Sequence, residues 1–163
     1  MISDRPLTAD ELAQFERYRQ QGLDLLGVSA GAAPKQVVQA IDEYVDNWQS
    51  KRRGLMAMLR PRIDAVEPAR ALGVLWGDQI ARHFDWNWIC EVRNGEERFA
   101  VACPNRSLII HAPQFLHDCL HEPKIDCTVM LAFNMQEAGN FTGCQAGEYA
   151  DVMSGVHRIV PRR

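Results

Sequence analysis

The run from Trp86 to Cys103 constrains the fold of this chain more than any other stretch. Trp86, Trp88, Cys90 and Val92 alternate with Asn87, Ile89, Glu91 and Arg93. That period of two belongs to a strand with two different faces. Asn94-Gly95 follows, the pair that best accepts the two positive φ angles of a type I′ turn. Glu97 to Cys103 supplies the returning strand. Pairing Arg93 with Glu96 sets Glu91 opposite Arg98, Cys90 opposite Phe99, Trp88 opposite Val101 and Trp86 opposite Cys103. One face is then apolar along most of its length. The other carries a cross-strand Glu91–Arg98 pair near the turn, with Ile89 and Ala100 deeper in. A slip of one residue would turn every side chain to the wrong face, so turn and pattern specify one register. Trp86 and Trp88 are expected in the core, beneath the preceding helix.

Three helices are expected before this hairpin. Thr8-x-x-Glu11 is a capping box, and a helix should run from Ala9 to Gln21 and stop at Gly22, with Leu12, Phe15 and Arg19 on one side. Pro34 suits the first position of a second helix, where its missing N–H costs nothing. Val37, Val38, Ile41, Tyr44, Val45 and Trp48 continue that helix at helical spacing. The third should run from Pro68 to Phe84, with Gly73 and Gly77 one turn apart. Each glycine costs a helix about 1 kcal/mol against alanine, so the pair predicts a groove that another element enters closely.

After the hairpin, Leu108–His111 should form a third strand and Pro113–His121 a short helix. Asp126 could cap a helix over 127–138, with a strand at 128–133 as the competing assignment. Residues beyond Gly139 lose their periodicity. The expected class is α+β, a small antiparallel meander of about three strands packed against N-terminal and C-terminal helices. A single domain over 1–163 is expected, with a helical part at 1–66, an α+β core at 67–138 and an irregular tail at 139–163.

Several function classes are disfavoured. The chain has 163 residues, a formal net charge of −3 and five cysteines. It lacks the basic footprint of a nucleic-acid binder, and an odd cysteine count without close pairs suits reduced thiols in a cytoplasm. The start shows no basic segment followed by an apolar run, so no export signal is expected. No apolar stretch reaches the ~18 residues of a membrane span. Phosphate-loop and dinucleotide glycine patterns are missing, and no cofactor is expected.

The strongest chemical cluster is His111, His117, Asp118, Cys119, His121 and Glu122. His117 and His121, at i and i+4, would face one way on a helix, as metal-binding imidazoles do. The full zinc signatures are absent, so the bland alternative is an exposed polar helix face. Cys119 beside two histidines suggests a thiol nucleophile; against that, cysteine commonly behaves as a small buried apolar residue. The basic residues Lys51, Arg52, Arg53, Arg60 and Arg62 read as a solvated helix end. Asp78, beside Gly77, suits a polar role at a close contact rather than catalysis. From Glu122 to Asp151, five acidic residues face only Lys124. Such a stretch would suit a basic partner, or an ordinary solvated surface.

Ala71-Leu72-Gly73-Val74-Leu75-Trp76-Gly77-Asp78-Gln79, followed by Phe84-Asp85-Trp86-Asn87-Trp88 and the Leu108–Pro113 step, resembles a bacterial domain family of unknown function. In that family a Leu-Gly-x-x-x-Gly-Asp/Glu helix precedes a Trp-containing strand and a short meander. The resemblance covers Pro68 to Ala138. It implies a small stand-alone bacterial protein, and by analogy of class a toxin-immunity protein. The expected function is non-enzymatic: binding a cognate toxin and blocking its active site, through Asp118, Glu122, Asp126, Glu148 and Asp151, with no metal site. The alternatives are a small metal- or thiol-dependent enzyme using His111, His117, Cys119 and His121, and a scaffold or ligand-sensing domain using the Gly73–Gly77 groove.

Overall fold

The computed structural model describes residues 2–53, 64–122 and 124–159. Arg60, Pro61 and Arg62, and the basic end at Pro161-Arg162-Arg163, lie outside them. The elements run β1 (Ile2–Arg5), α1 (Ala9–Leu26), α2 (Pro34–Arg53), α3 (Val66–Phe84), β2 (Asn87–Arg93), β3 (Glu96–Ala102), β4 (Leu108–Ile110), α4 (Ala112–His121), α5 (Val129–Glu137), β5 (Ala150–Asp151) and α6 (Val152–Ile159). The class is α+β. The sheet has five strands in the order β1-β2-β3-β4-β5, not the expected three. It is mixed rather than antiparallel, because β5 returns parallel to β4.

The hairpin has the register derived from its turn: Arg93 opposite Glu96, Glu91 opposite Arg98, Cys90 opposite Phe99 and Trp88 opposite Val101. Asn94 and Gly95 take φ of 55° and 83°, as a type I′ turn requires. Trp86 is the exception. It precedes β2 and gives its N–H to Ala81 O at 3.0 Å, closing the end of α3. It is nonetheless buried.

Helix α3 is the centre of the molecule. Every residue from Ala71 to Ile80 is buried, because α1, α2, α4 and the hairpin surround it. A helix covered on all sides needs narrow crossings. Cβ atoms at Gly73 and Gly77 would stand 2.4 Å from Pro113 Cα and 2.2 Å from Trp88 Cζ2. The expected groove therefore exists but is filled by the protein itself, which removes it as a ligand site. Gly22 follows the same logic. It does not stop α1; a Cβ there would lie 2.9 Å from Ala71 O on α3. The helix continues to Leu26 and ends at Gly27, in the left-handed conformation. Its start is the expected capping box, with Thr8 Oγ1 accepting from Glu11 N and Glu11 accepting from Thr8 N. Leu12 is exposed, whereas Phe15 is buried against Trp88 and Phe99.

The competing assignments at 128–133 resolve as helix α5. Thr128, not Asp126, occupies its N-cap position, without a side-chain cap bond. The segment expected to be an irregular tail carries β5 and α6. It is held by backbone bonds from Gly147 N to Asn105 O at 3.0 Å, Tyr149 N to Arg106 O at 2.9 Å and Ala150 N to Ser107 O at 2.9 Å. Arg106 and Tyr149 both reach Asp4 on β1, at 2.9 and 2.8 Å. One carboxylate on β1 thus holds both the β3–β4 turn and the residue before β5.

The main core lies between the helices and one sheet face. On the other face Ile89, Ala100, Ala102 and Ile109 form a small second cluster beside Tyr149. Strand alternation brings Glu91, His111 and Asp151 to that second face.

Candidate functional site

The Glu91–Arg98 pair expected from the register does not form. Arg98 bonds Glu96 of its own strand at 2.6 Å. Glu91 is instead buried, only 1 % of its side chain being exposed, and one oxygen bonds Arg93 at 2.8 Å. Its other oxygen meets His111 Nε2 at 2.7 Å. Residues two apart share a strand face, so each arginine finds a carboxylate on its own strand, and His111 enters from beyond β4. The opposite ring nitrogen of His111 lies 3.7 Å from Asp151. Burial lowers the affinity of this imidazole for a proton, but Asp151 and Glu91 together outweigh burial, and its pKa stands above the usual histidine value. The ring stands between Glu91 on β2 and Asp151 on β5.

His111 and Asp151 line a cleft of about 930 Å³, with Glu91 buried behind them. Its walls come from α1 (Phe15, Tyr18), the start of α3 (Arg70, Val74), β3 (Glu97, Arg98, Phe99), the β4–α4 step (His111, Pro113, Phe115, Asp118) and the β5–α6 step (Asp151, Met153). The apolar walls are Phe15, Val74, Phe99, Phe115 and Met153. Arg70 is paired with Glu67 at 3.1 Å and Arg98 with Glu96, both carboxylates standing outside the lining. Asp118 accepts from the neutral amide of Gln114 at 2.8 Å and lies 3.4 Å from His117.

Of the five carboxylates expected to meet a partner, Asp118 and Asp151 line this cleft. Glu122, Asp126 and Glu148 lie outside its lining. Glu122 is exposed and accepts from Lys124 N at 3.2 Å; Glu148 accepts from Gln145 N at 2.7 Å. Asp126, half-buried, presents its backbone carbonyl to Cys119.

The histidine–cysteine cluster does not assemble. His117 and His121 stack, with ring centroids 4.2 Å apart, while His111 is engaged with Glu91. Among the described residues, no group of three His, Cys, Asp or Glu side chains is placed to hold a metal ion. Cys119 is buried. Its neighbour Cys127 is pushed well above the usual thiol value by its hydrogen bond with Cys119 and by burial, the reverse of what a thiolate nucleophile needs. Cys103 staples a turn, giving its thiol proton to Asn105 Oδ1 at 3.0 Å while Leu108 N donates to its sulfur. Arg52 donates to Leu120 O, so it ties α2 to the end of α4. Asp78 accepts from Trp88 Nε1 at 2.8 Å and from Arg19. It holds α3 to β2 and α1, the polar role at a close contact that its neighbour Gly77 suggested.

No family model matches this chain, and no curated protein and no solved structure matches it. Among the described residues, no helix is long and apolar enough to cross a membrane.

The sequence pointed towards Asp118 and Asp151 but missed Glu91 as a buried acid, Arg70 and Tyr18. The register set Glu91 in a cross-strand pair with Arg98 near the turn. Its sequence signal was its place between the apolar residues Cys90 and Val92, on the same strand face as Ile89.

Proposed function

We propose that this chain is a non-enzymatic binding protein that neutralises a cognate bacterial toxin by covering its active site, and that contact is made through the cleft beside β3. One observation carries this: Asp118 and Asp151, far apart in the sequence, both line one open cleft with apolar walls. Carboxylates on an apolar floor suit a basic partner loop, since opposite charges steer encounter and aromatic walls supply contact area. The side chains suited to chemistry are engaged within the protein: Glu91 with Arg93 and His111, and Cys119 in the interior.

The test is co-expression with the product of an adjacent secreted-effector gene. The two proteins should co-purify, and the cell should survive the effector. Reversing the charge of Asp118, with Asp118→Lys, should abolish protection without unfolding the chain. Failure to co-purify together with absence of protection would remove the proposal.

A further inference from the structure

The β3 strand has one open edge, and it faces the cleft. Its partner β2 pairs along all of β3, from Glu96 to Ala102. On the other side β4 reaches only Val101 and Ala102, because the chain turns into α4 after Ile110. In an antiparallel ladder the residues alternate between bonding one neighbour and the other. A two-residue turn makes Arg93 and Glu96 a mutually bonded pair, so Glu96, Arg98 and Ala100 point their backbone groups at β2. Glu97 and Phe99 point theirs away, like Val101 and Cys103, and Cys103 N does bond Leu108 O of the β4 side at 3.1 Å. Among the described residues, the outward N–H and C=O groups of Glu97 and Phe99 have no backbone partner. Glu97 and Arg98 are exposed and Phe99 half-buried, and all three line the cleft.

An open edge is a template for another strand. Among the described residues the outer edge of β1 is open too, but the β3 edge is the one whose residues Glu97, Arg98 and Phe99 line the cleft. Both of the cleft's arginines are already paired, with Glu67 and Glu96, and His111 stands between Glu91 and Asp151, at 2.7 and 3.7 Å. Among the described residues, the side chain of Asp118 meets Gln114 and His117, and no Lys or Arg. The cleft therefore has charge to spare for one cation.

We infer that the cleft takes an extended segment of the partner protein as an added antiparallel strand, bonded to the backbone of Glu97 and Phe99, with a Lys or Arg of that segment meeting Asp118. This deepens, and rests on, the protein-binding function proposed above. Main-chain bonds supply affinity in such an arrangement, and alternate side chains supply selectivity. Glu96–Ala100 would offer roughly 16 Å of strand at about 3.3 Å per residue, enough for a short segment rather than a whole domain edge.

The experiment uses the full chain and two capped octapeptides, (Lys-Val)4 and (Glu-Val)4, with hydrogen exchange read at single amides. The lysine peptide should slow exchange at Glu97 and Phe99 at least tenfold and bind tighter than the glutamate peptide. Glu97→Pro, which removes an outward N–H but no bond to β2, should abolish that binding, whereas Glu97→Ala should retain it. Should the proline variant fail to fold, Asp118→Lys serves instead: it should reverse the preference between the peptides. Absence of lysine-peptide binding, or binding that leaves the Glu97 and Phe99 amides unprotected, overturns the inference. A toxin that co-purifies equally with wild type and Glu97→Pro would overturn strand addition while leaving the binding function intact. Protected amides without any co-purifying toxin would do the converse.

Discussion

Glu91 Oε2 stands 2.7 Å from His111 Nε2, joining a buried carboxylate on the central hairpin to an imidazole at the point where β4 becomes α4. A buried charge without a partner is costly, so the two groups and Arg93 form one unit. Through Asp151 the unit also reaches β5, and so ties the last part of the chain to the middle of the sheet.

Replacing Glu91 by Gln keeps the shape and removes the charge. Hydrogen bonds to charged groups contribute about 1.5–3 kcal/mol each, so Glu91→Gln should lower unfolding stability by about that much in a urea titration. A variant as stable as wild type would mean that the pair contributes nothing net.

The pH dependence follows from the raised pKa of His111. A group with a higher pKa folded than unfolded stabilises fully below the unfolded value, about 6.5 for histidine. That contribution disappears as pH rises through the folded value. The stability gap between wild type and His111→Gln should thus be widest in mildly acidic solution and narrow at alkaline pH. Exchange at Ala150 and Asp151 should quicken in parallel. A gap that widens with rising pH would reverse the assignment.

Arg5 clamps β1 to α1 and β3, bonding Glu11 at 2.9 Å and Glu97 at 3.0 Å. The bond from Arg5, helped by the Thr8 amide, lowers Glu11 to about 2. A depressed carboxylate stabilises above its unfolded value, about 4.3, and the effect is lost as pH falls through the folded one. In acid titrations Glu11→Gln should differ from wild type at pH 5 and converge with it near pH 2. Convergence well above that would place Glu11 among ordinary carboxylates.

The glycines of α3 should tolerate nothing larger. Gly73→Ala would drive a methyl group against Pro113 backbone, at 2.4 Å from its Cα, and backbone cannot rotate aside. Overpacking costs about 1–3 kcal/mol or more, above the ~1 kcal/mol that alanine returns in helix propensity. Gly77→Ala meets the Trp88 ring, which Asp78 anchors, so it should also shift the tryptophan emission. Calorimetry and fluorescence on the two variants check both; an unchanged melting temperature for Gly73→Ala would contradict the packing.

Thiol alkylation of the native protein should modify Cys144 first. Cys90, Cys103 and Cys119 are buried, and Cys127, half-buried, is pushed well up by Cys119 and by burial. Peptide mass mapping after brief treatment should find the other four unmodified until denaturant is added. Early labelling of Cys119 would restore it as a candidate nucleophile.

Local signals in the sequence determined the hairpin register, the capping box of α1, the proline start of α2 and the burial of Trp86, with Trp88 half-buried against the core. In each case the deciding interaction lies within a few residues or across one tight turn. The Gly73–Gly77 spacing likewise announced a close crossing. Tertiary structure alone decided what enters that crossing, since Pro113 and Trp88 come from separate elements. It also decided that Gly22 is a helix contact and not a stop. Short β1 and β5 carry no alternating pattern; they exist because the edges of β2 and β4 were free to pair. Glu91 shows the limit most clearly. Its position opposite Arg98 followed from the turn, but its partners depended on where His111 and Asp151 arrive, and on burial that only the assembled sheet imposes. The cleft has the same origin: β4 is too short to cover β3, and no local pattern in β3 records the length of its neighbour.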